Sequence, residues 1–170
     1  MIREVEWKDM DDLIANYYSY YEELKERPDF GIAFYESMPN FASEIEWFSS
    51  LYRGVIEGNI IAVVAVVDGK VVGLCDVHRT RPGSEMSHVG LLGITIRKAH
   101  RGKGLGEQMM KKVIDLSRGK FEILRLEVFT VNSVAIKLYK KLGFVEYGTL
   151  PNAIKRGGNY FDLMQMYRRL

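Results

Sequence analysis

Residues 101–106 read RGKGLG and come directly before EQMMKKVIDLSR, a run whose apolar residues have helical spacing. Glycines let a backbone approach a ligand closely, because no Cβ atom stands in the way. At the start of a helix, the free N–H groups and the helix dipole both favour an anion. The pattern R-x-x-G-x-G therefore indicates a phosphate-binding loop, although three glycines could also form no more than a tight turn.

Two other residues carry side chains that could move a proton. Glu127 interrupts the apolar run ILRLEVF, and Tyr139 stands seven positions after Asn132. A carboxylate can accept a proton and a phenol can donate one. Each residue also has a plain structural interpretation: Glu127 could pair with an arginine such as Arg125, Tyr139 could be a core residue on one helical face, and Asn132 could cap its helix.

Two common phosphate motifs do not fit the glycine loop. The chain lacks G-x-x-x-x-G-K-[ST], and the dinucleotide pattern G-x-G-x-x-G would need a glycine where Met109 stands. Glu127 lies at about the right distance downstream for a ribose contact, but only 64 residues follow Gly106. That is too few for the strands of a doubly wound parallel domain, so a dinucleotide site is excluded.

The elements that must hold these residues follow from hydrophobic periodicity and turn signals. In the first half, the sequence predicts a strand over 2–7, helices over 9–27 and 42–57, and a hairpin of IIAVVAVV and VVGLCDVHRT joined at Asp68-Gly69. A strand over 88–96 then leads into the glycine loop, and the helix after it carries Leu105, Met109, Val113 and Leu116 on one face.

The second half is predicted to continue with a strand over 121–130 and a short helix from Asn132 to Leu142, closed by Gly143. The last two strands, 144–150 and 160–168, are expected to pair antiparallel. Hairpin strands around one strand–helix–strand–helix–strand passage indicate a mixed sheet of the α+β class.

Length and composition limit the class of protein. A chain of 170 residues with 47% hydrophobic and 27% charged residues is expected to form a single domain, 1–170. Cys75 is the one cysteine, so neither a disulfide within the chain nor a cysteine-based zinc site can form, and we expect no metal. The N-terminus lacks the apolar run of a signal peptide, and the longest apolar stretch is too short for a bilayer, so a cytoplasmic protein without a membrane partner is expected.

Charge is divided unevenly along the chain. Residues 1–96 carry a net charge of −8 and residues 97–170 a net charge of +10. A basic half suits a polyanionic cofactor, and an acidic half suits a cationic substrate. Nucleic acid is a weaker partner for the basic half, because its lysines and arginines are spread out rather than clustered with aromatic residues.

Three segments, taken in order, resemble the acyl-CoA-binding core of the GCN5-related N-acetyltransferases (GNAT). LGITIRKAHRGKGLGEQMM is similar to the strand, pyrophosphate loop and helix of that family, LRLEVFTVN to the next strand, and NSVAIKLYKKLGF to the helix that carries a tyrosine. The resemblance implies a GNAT fold with a mostly antiparallel sheet that splays between strands four and five. Acetyl-CoA would lie in that gap, and the resemblance also leaves open a homodimer.

The resemblance also implies roles for individual residues in holding acetyl-CoA. The backbone of Ile94-Thr95-Ile96 would pair with the pantetheine arm, and one N–H there would polarise the thioester carbonyl. Asn132 would contact the same arm. The pyrophosphate would lie in the glycine loop, and its negative charges would pair with Arg101 and Lys103. The residues expected to contact the pyrophosphate are Arg101, Gly102, Lys103, Gly104, Leu105, Gly106 and Glu107.

The catalytic roles implied by the resemblance fall to Tyr139 and Glu127. Tyr139 would protonate the leaving thiolate as well as contact the cofactor. In members that act on protein N-termini, a glutamate at the place of Glu127 is the base, usually through a water. Where other members carry a glutamate on strand four, this chain has Gly90. His88 could share the task of the base, and His100 is expected near the cofactor or exposed.

The predicted activity is transfer of an acetyl group from acetyl-CoA to a primary amine by direct attack in a ternary complex. The closing segment LPNAIKRGGNYFDLMQM resembles members that act on small amines or amino acids, which are slightly favoured. LEVFTVN instead resembles protein N-terminal acetyltransferases. A third alternative is an acetyl-CoA sensor without catalysis. Substrate choice is expected to depend on the first two helices, the loop FGIAFYESMPN between them, and the final hairpin.

Overall fold

The computed structural model describes residues 1–170 as one seven-stranded sheet flanked by four helices. The strands are β1 (Ile2–Glu4), β2 (Ile60–Val67), β3 (Lys70–Arg79), β4 (Val89–Ile96), β5 (Ile123–Phe129), β6 (Val145–Arg156) and β7 (Asn159–Arg169). The helices are α1 (Met10–Glu26), α2 (Phe41–Ile56), α3 (Leu105–Ser117) and α4 (Ser133–Lys141). The strand order is β1-β2-β3-β4-β5-β7-β6, which confirms the predicted α+β class and GNAT fold.

Apolar side chains on the two faces of the sheet explain where the helices lie. Helices α3 and α4 pack on one face, over Cys75, Leu92, Leu124 and their neighbours. Helices α1 and α2 cover the other face, where Phe48 and Leu51 contact Val64 and Leu74. Strand β2 is buried on both faces, which is why its sequence is continuously apolar rather than alternating.

The predicted elements are present, and two of their bounds differ from the prediction by more than two residues. The first strand ends at Glu4, and a short 3₁₀ turn over Trp7–Asp9 leads into α1. Strand β6 continues past Pro151 to Arg156, where the sequence predicted an end at residue 150. Its pairing with β7 shifts register between Leu150 and Ile154, so the proline lies in an irregularity where no ladder hydrogen bond is lost.

Strands β4 and β5 are parallel neighbours only at their beginnings. Their pairing covers Val89–Leu91 against Ile123–Arg125, and beyond that point the two strands separate. Strand β5 pairs along its whole length with β7 on its other side. The second half of β4 therefore has a free edge that opens into a gap, as the predicted splay requires.

Candidate active site

The free edge of β4 presents backbone polar groups to the gap. The Arg97 N–H donates to Val72 O at 2.8 Å, on the β3 side. Because the hydrogen bonds of a strand alternate between its two sides, the backbone groups of Ile94 and Ile96 point away from β3 and into the gap. Thr95 instead bonds toward β3 and lines a pocket on the α1–α2 face of the sheet. The backbone groups of Ile94 and Ile96 therefore face the gap, and the pairing of these three residues with the pantetheine arm remains a prediction.

The glycine loop has the backbone geometry of an anion site. Gly102 and Gly104 have φ values of +72° and +78°, and Gly104 is the N-cap of α3. The N–H groups from Gly102 to Glu107 donate to no backbone acceptor within the chain. A run of unpaired N–H groups at a helix N-terminus fits a pyrophosphate group, because each can donate to a phosphate oxygen and the helix dipole adds to the attraction.

Arg101 does not extend freely from this loop toward a ligand. Its guanidinium binds the carboxylate of Glu23 on α1 through two contacts of 2.5 and 2.8 Å, and its Nε donates to Ile96 O at 2.7 Å. The same group lies 4.8 Å from the centre of the Phe30 ring. Glu23 is buried, so the pair fixes the loop against α1 and the end of β4. The role predicted for Arg101 as a charge partner of the pyrophosphate remains a prediction.

The other charged residues of the loop differ in how they are engaged. Lys103 is exposed and forms no ion pair. Glu107 contacts Lys111 Nζ at 2.8 Å and Lys141 Nζ at 2.6 Å. Hydrogen bonds from these two ammonium groups lower the pKa of the Glu107 carboxyl to about 2. Its negative charge is therefore compensated within the protein, and its backbone N–H is the group that could contact a phosphate.

A glycine substitution tests whether the loop binds the cofactor. In Gly104→Ala, the left-handed backbone becomes strained by roughly 1–2 kcal/mol, and we expect the Kd for acetyl-CoA to rise about tenfold. Gly83→Ala is the control, because Gly83 has φ +75° and a Cβ there would meet nothing within 4 Å. Both variants should lose similar stability in thermal unfolding, whereas calorimetry should detect weaker acetyl-CoA binding only in Gly104→Ala. Equal Kd values in the two variants would exclude the loop as the binding site.

Tyr139 lies on α4 and is buried within the core on the α3 side of the sheet, with 7% of its surface exposed. Its ring packs at a tilt of 60° against Phe144, with 6.2 Å between the ring centroids. Burial, with a smaller contribution from the Cys75 thiol, raises the pKa of the Tyr139 phenol well above its usual value. The phenol therefore keeps its proton across the physiological range, which is the state that a proton donor needs.

Asn132 caps α4, as the sequence allowed. Its Oδ1 accepts a hydrogen bond from the Ala135 N–H at 3.2 Å. The opposite end of the amide lies against the α1–α2 loop: a Cβ atom built on Gly31 would stand 2.8 Å from Asn132 Nδ2. The cap leaves the Nδ2 hydrogens available to another acceptor, so capping and the predicted contact with the cofactor are compatible.

Glu127 extends from β5 on the face opposite the buried Leu126 and Val128. Its partner is Gln165 on β7, whose Nε2 donates to Glu127 Oε1 at 3.4 Å. The alternative pairing with Arg125 is wrong, because Arg125 forms no ion pair and its Nε is buried without a partner. Glu127 is exposed and does not line the pocket, so its role as a base remains a prediction.

Strand β4 carries no titratable side chain facing the pocket. A Cβ atom at Gly90 would come within 2.4 Å of Val77 Cγ1 and 3.0 Å of Leu124 Cδ2, so this position points into the core and has no space for a carboxylate. His88 belongs to the same side by alternation and does not line the pocket. His100 ends the short 3₁₀ turn before the loop and is half-buried.

The pocket is a cavity of about 620 Å³ between α1, α2, their connecting loop and strands β3 and β4. Arg156 of β6 positions that loop by donating to the carbonyl oxygens of Pro28, Phe30 and Ile32 at 2.9, 2.8 and 2.6 Å. The pocket reaches β4 at Gly93–Thr95, directly beside the free edge. Of the segments expected to govern substrate choice, the first two helices and their loop line this pocket, whereas the final hairpin contacts only the loop, through Arg156.

Sequence reasoning missed the polar residues of this pocket: Asn16, Tyr20, Glu44 and Asp76. Glu44 occupies the apolar face of α2 with Phe48 and Leu51, and Asp76 interrupts the buried run of β3. In both cases a charged residue interrupts an apolar pattern, and this is the signal by which the sequence could have identified the pocket residues. Asp76 Oδ2 lies 3.1 Å from His78 Nε2, and this hydrogen bond raises the pKa of the His78 imidazole.

Comparisons with known proteins agree with this geometry. The model of the Acetyltransferase (GNAT) family matches residues 7–144. The chain belongs to this family. It is therefore an acetyl-CoA-dependent N-acetyltransferase, and acetyl-CoA is its cosubstrate. No helix of this GNAT protein has the length and apolar composition needed to cross a membrane. No group of three or more His, Cys, Asp or Glu side chains is arranged to hold a metal ion.

Similar proteins act on different amines. The L-amino acid N-acetyltransferase AaaT of Escherichia coli (strain K12) is 35% identical over 109 residues, which are 62% of this chain and 66% of that protein, just under two thirds of its length. A Pseudomonas paraeruginosa L-methionine sulfoximine/L-methionine sulfone acetyltransferase is 26% identical over 79% of this chain and 77% of its own. The crystal structure of a ribosomal-protein-alanine N-acetyltransferase from Brucella melitensis has a TM-score of 0.84 at 26% identity, covering 100% of this chain and 99% of that one.

Proposed function

We propose that this GNAT protein acetylates a small primary amine by direct attack on acetyl-CoA while both substrates are bound. The observation that carries the proposal is that one segment of β4, Gly93–Thr95, lines the pocket on the α1–α2 face and borders the gap between β4 and β5. An amine in the pocket and a thioester in the gap would meet at this segment without a covalent enzyme intermediate.

Different residues around the gap would bind different parts of acetyl-CoA. The cosubstrate itself supplies the activated acetyl thioester. The N–H groups of residues 102–107 would hold the pyrophosphate, and Asn132 Nδ2 with the edge of Ile94 and Ile96 would hold the pantetheine arm. A backbone N–H on this edge would stabilise negative charge on the carbonyl oxygen. Tyr139 would deliver its proton to the departing thiolate sulfur.

A protein N-terminal amine is the second candidate substrate, and two observations favour it. Glu127 occupies an exposed position on β5, on the side of the sheet that α1 and α2 cover, and the Brucella melitensis structure superposes over the whole chain. A peptide N-terminus is larger than a free amine, however, and the loop held by Arg156 covers the pocket. Binding of acetyl-CoA without catalysis is the third candidate, and the buried phenol of Tyr139 argues against it.

The test of the function is release of the CoA thiol from acetyl-CoA with two acceptor pools. One pool contains free amines and amino acids, and the other contains short peptides with free N-termini. Release with the first pool supports a small-amine acetyltransferase, and release with the second pool alone supports the N-terminal alternative. Binding of acetyl-CoA without release in either pool would support the sensor.

Substitution of Glu127 tests which carboxylate takes the proton of the amine. In Glu127→Gln, we expect turnover to fall about tenfold at pH 7 and progressively less above about pH 8, because a larger share of the amine is then already neutral. Glu122→Gln is the control, since Glu122 is also exposed and lies one residue before β5. A pH–rate profile of both variants makes the measurement. A loss of the same size at every pH would contradict the base role and would leave Glu44 and Asp76 as the carboxyl groups of the pocket.

We also propose that residues 1–170 act as one domain in the cytoplasm. The continuous seven-stranded sheet, to which both ends of the chain contribute strands, supports the single domain. Cytoplasmic location and a homodimer stay predictions.

A further inference from the structure

The lining of the pocket contains acidic side chains but no basic ones. Fifteen residues line it, and none of them is lysine, arginine or histidine. Two of them, Glu44 and Asp76, carry carboxyl groups. An amino acid bound here would present its own carboxylate to these acids, and no lining side chain is a cation that could balance it, because His78, Arg97 and Arg101 lie outside the lining.

Glu44 has no partner within the protein. It is buried to 4% exposure, and it forms neither a hydrogen bond nor an ion pair. Burial raises the pKa of its carboxyl. Its carboxylate oxygens are not fully enclosed, and Glu44 lines the pocket, so the group is open to the pocket. A carboxylate in such a place without a protein partner is typical of a site whose partner is a ligand.

Two further polar atoms of the pocket are buried without hydrogen bonds. Asn16 Nδ2 donates to Val71 O at 2.9 Å, which fixes the orientation of the amide and leaves its Oδ1, a pure acceptor, unpaired. The Tyr20 hydroxyl, beside Thr95, is likewise buried without a partner. Unpaired acceptors next to the unpaired carboxylate of Glu44 complement a group that has several N–H donors and a positive charge.

Aromatic rings complete the surroundings of these groups. Tyr17, Tyr35 and Trp47 line the same pocket. The faces of such rings attract cations when an ammonium group lies over them. Tyr35 and Trp47 are exposed and lie at the rim, whereas Tyr17 is half-buried.

We propose that the substrate of this protein is a small linear amine with a second cationic group, an α,ω-diamine or a polyamine without a carboxylate. One amine would reach β4 at Gly93–Thr95 for acetylation, and the other would be held as an ammonium group by Glu44 and the unpaired acceptors of Asn16 and Tyr20. The inference rests on the proposed function, since it names the amine that the proposed reaction consumes. The proposed diamine or polyamine differs from the amino acids named for the two relatives above.

A matched series of acceptors isolates the second charge. The series is 1,4-diaminobutane, butylamine and 4-aminobutyrate, which share one four-carbon chain and end it in an ammonium, a methyl and a carboxylate group. We expect kcat/KM for thiol release to be about tenfold or more higher for the diamine than for butylamine, and lowest for 4-aminobutyrate. A value for butylamine or 4-aminobutyrate equal to or above that of the diamine would overturn the proposal.

Glu44→Gln tests the assigned residue. The ratio of kcat/KM between diamine and butylamine should fall about tenfold toward one, because the neutral amide no longer attracts the second ammonium group. The variant should fold, since it removes a buried charge that has no partner. Glu46→Gln is the control: Glu46 lies on the same helix but is exposed, outside the pocket, and its loss should leave the ratio as it was. An unchanged ratio in Glu44→Gln would overturn the assignment.

Failure of the inference can be separated from failure of the proposed function. Thiol release with amino acids or peptides but not with diamines would keep an acetyltransferase and overturn the diamine. If no acceptor releases thiol, the proposed function fails. Calorimetric titration of 1,4-diaminobutane into the protein with bound CoA then decides the inference: binding that Glu44→Gln weakens supports the cation site, and absence of binding overturns it.

Discussion

In Tyr139→Phe, kcat for acetyl transfer is expected to fall about tenfold or more, while the affinity for acetyl-CoA stays nearly unchanged. A positioned general acid typically contributes about 10²–10⁴-fold to a rate, and Tyr139 is the residue proposed to protonate the departing thiolate. The change removes one oxygen from a residue that packs by its ring against Phe144. The fold should therefore retain its stability.

Steady-state kinetics and calorimetry of acetyl-CoA binding measure the two quantities. Tyr147→Phe is the matched control, because Tyr147 is exposed on β6 and takes no part in the site. The raised pKa of Tyr139 has a further consequence: the phenol stays protonated as the pH rises, so deprotonation of Tyr139 should cause no loss of kcat below about pH 10. An equal loss of turnover and of acetyl-CoA affinity in Tyr139→Phe would mean that the residue is structural.

Arg101→Ala is expected to have the largest effect on stability. The side chain of Glu23 is only 4% exposed, and the substitution leaves this carboxylate buried without its partner. Breaking a buried ion pair from one side typically costs about 3–5 kcal/mol. Arg101 also loses its bond to Ile96 O, so the glycine loop is no longer fixed to the end of β4, and acetyl-CoA should bind more weakly.

Denaturant unfolding measures the loss, and Lys25→Ala provides the control. Lys25 pairs with Glu22 on the same helix, but both side chains are exposed, and such pairs contribute about 0–1 kcal/mol. The double variant Glu23→Gln/Arg101→Ala should recover part of the stability, because no carboxylate is then left buried. A loss in Arg101→Ala no larger than in Lys25→Ala would contradict the structural role of the pair.

The features that the sequence predicted well are local ones. The glycine loop, the Asp-Gly hairpin and the capped helix at Asn132 each depend on a few neighbouring residues, and apolar periodicity identifies the helices and strands around them. The splay of β4 from β5 was expected from the family likeness rather than from any pattern in the residues. It is confirmed by a pairing that ends at Leu91 and Arg125.

The features that the sequence did not predict join distant parts of the chain. Glu23 and Arg101 are 78 positions apart, and Arg156 binds carbonyl groups more than 120 positions away. Neither contact has a spacing that a pattern could reveal. Strand β6 was predicted too short because a proline such as Pro151 usually ends a strand. The strand continues past it because its pairing with β7 shifts register between Leu150 and Ile154.

The uneven distribution of charge along the chain predicted the charge of the site, although no single position identified the pocket residues. Glu23, Glu44 and Asp76 come from the acidic half, and the glycine loop with Arg101 and Lys103 comes from the basic half. The expectation of a cationic substrate for the acidic half gains support from a pocket that contains carboxylates but no lysine or arginine.

Helix α1 joins the two proposed binding sites. Asn16, Tyr17 and Tyr20 in its middle line the pocket proposed for the amine, and Glu23, near its end, binds Arg101 of the loop proposed to hold the pyrophosphate. A shift of α1 on binding of one substrate would therefore also alter the site of the other. Any effect of acetyl-CoA on the affinity for the amine must then be matched by an equal effect of the amine on the affinity for acetyl-CoA.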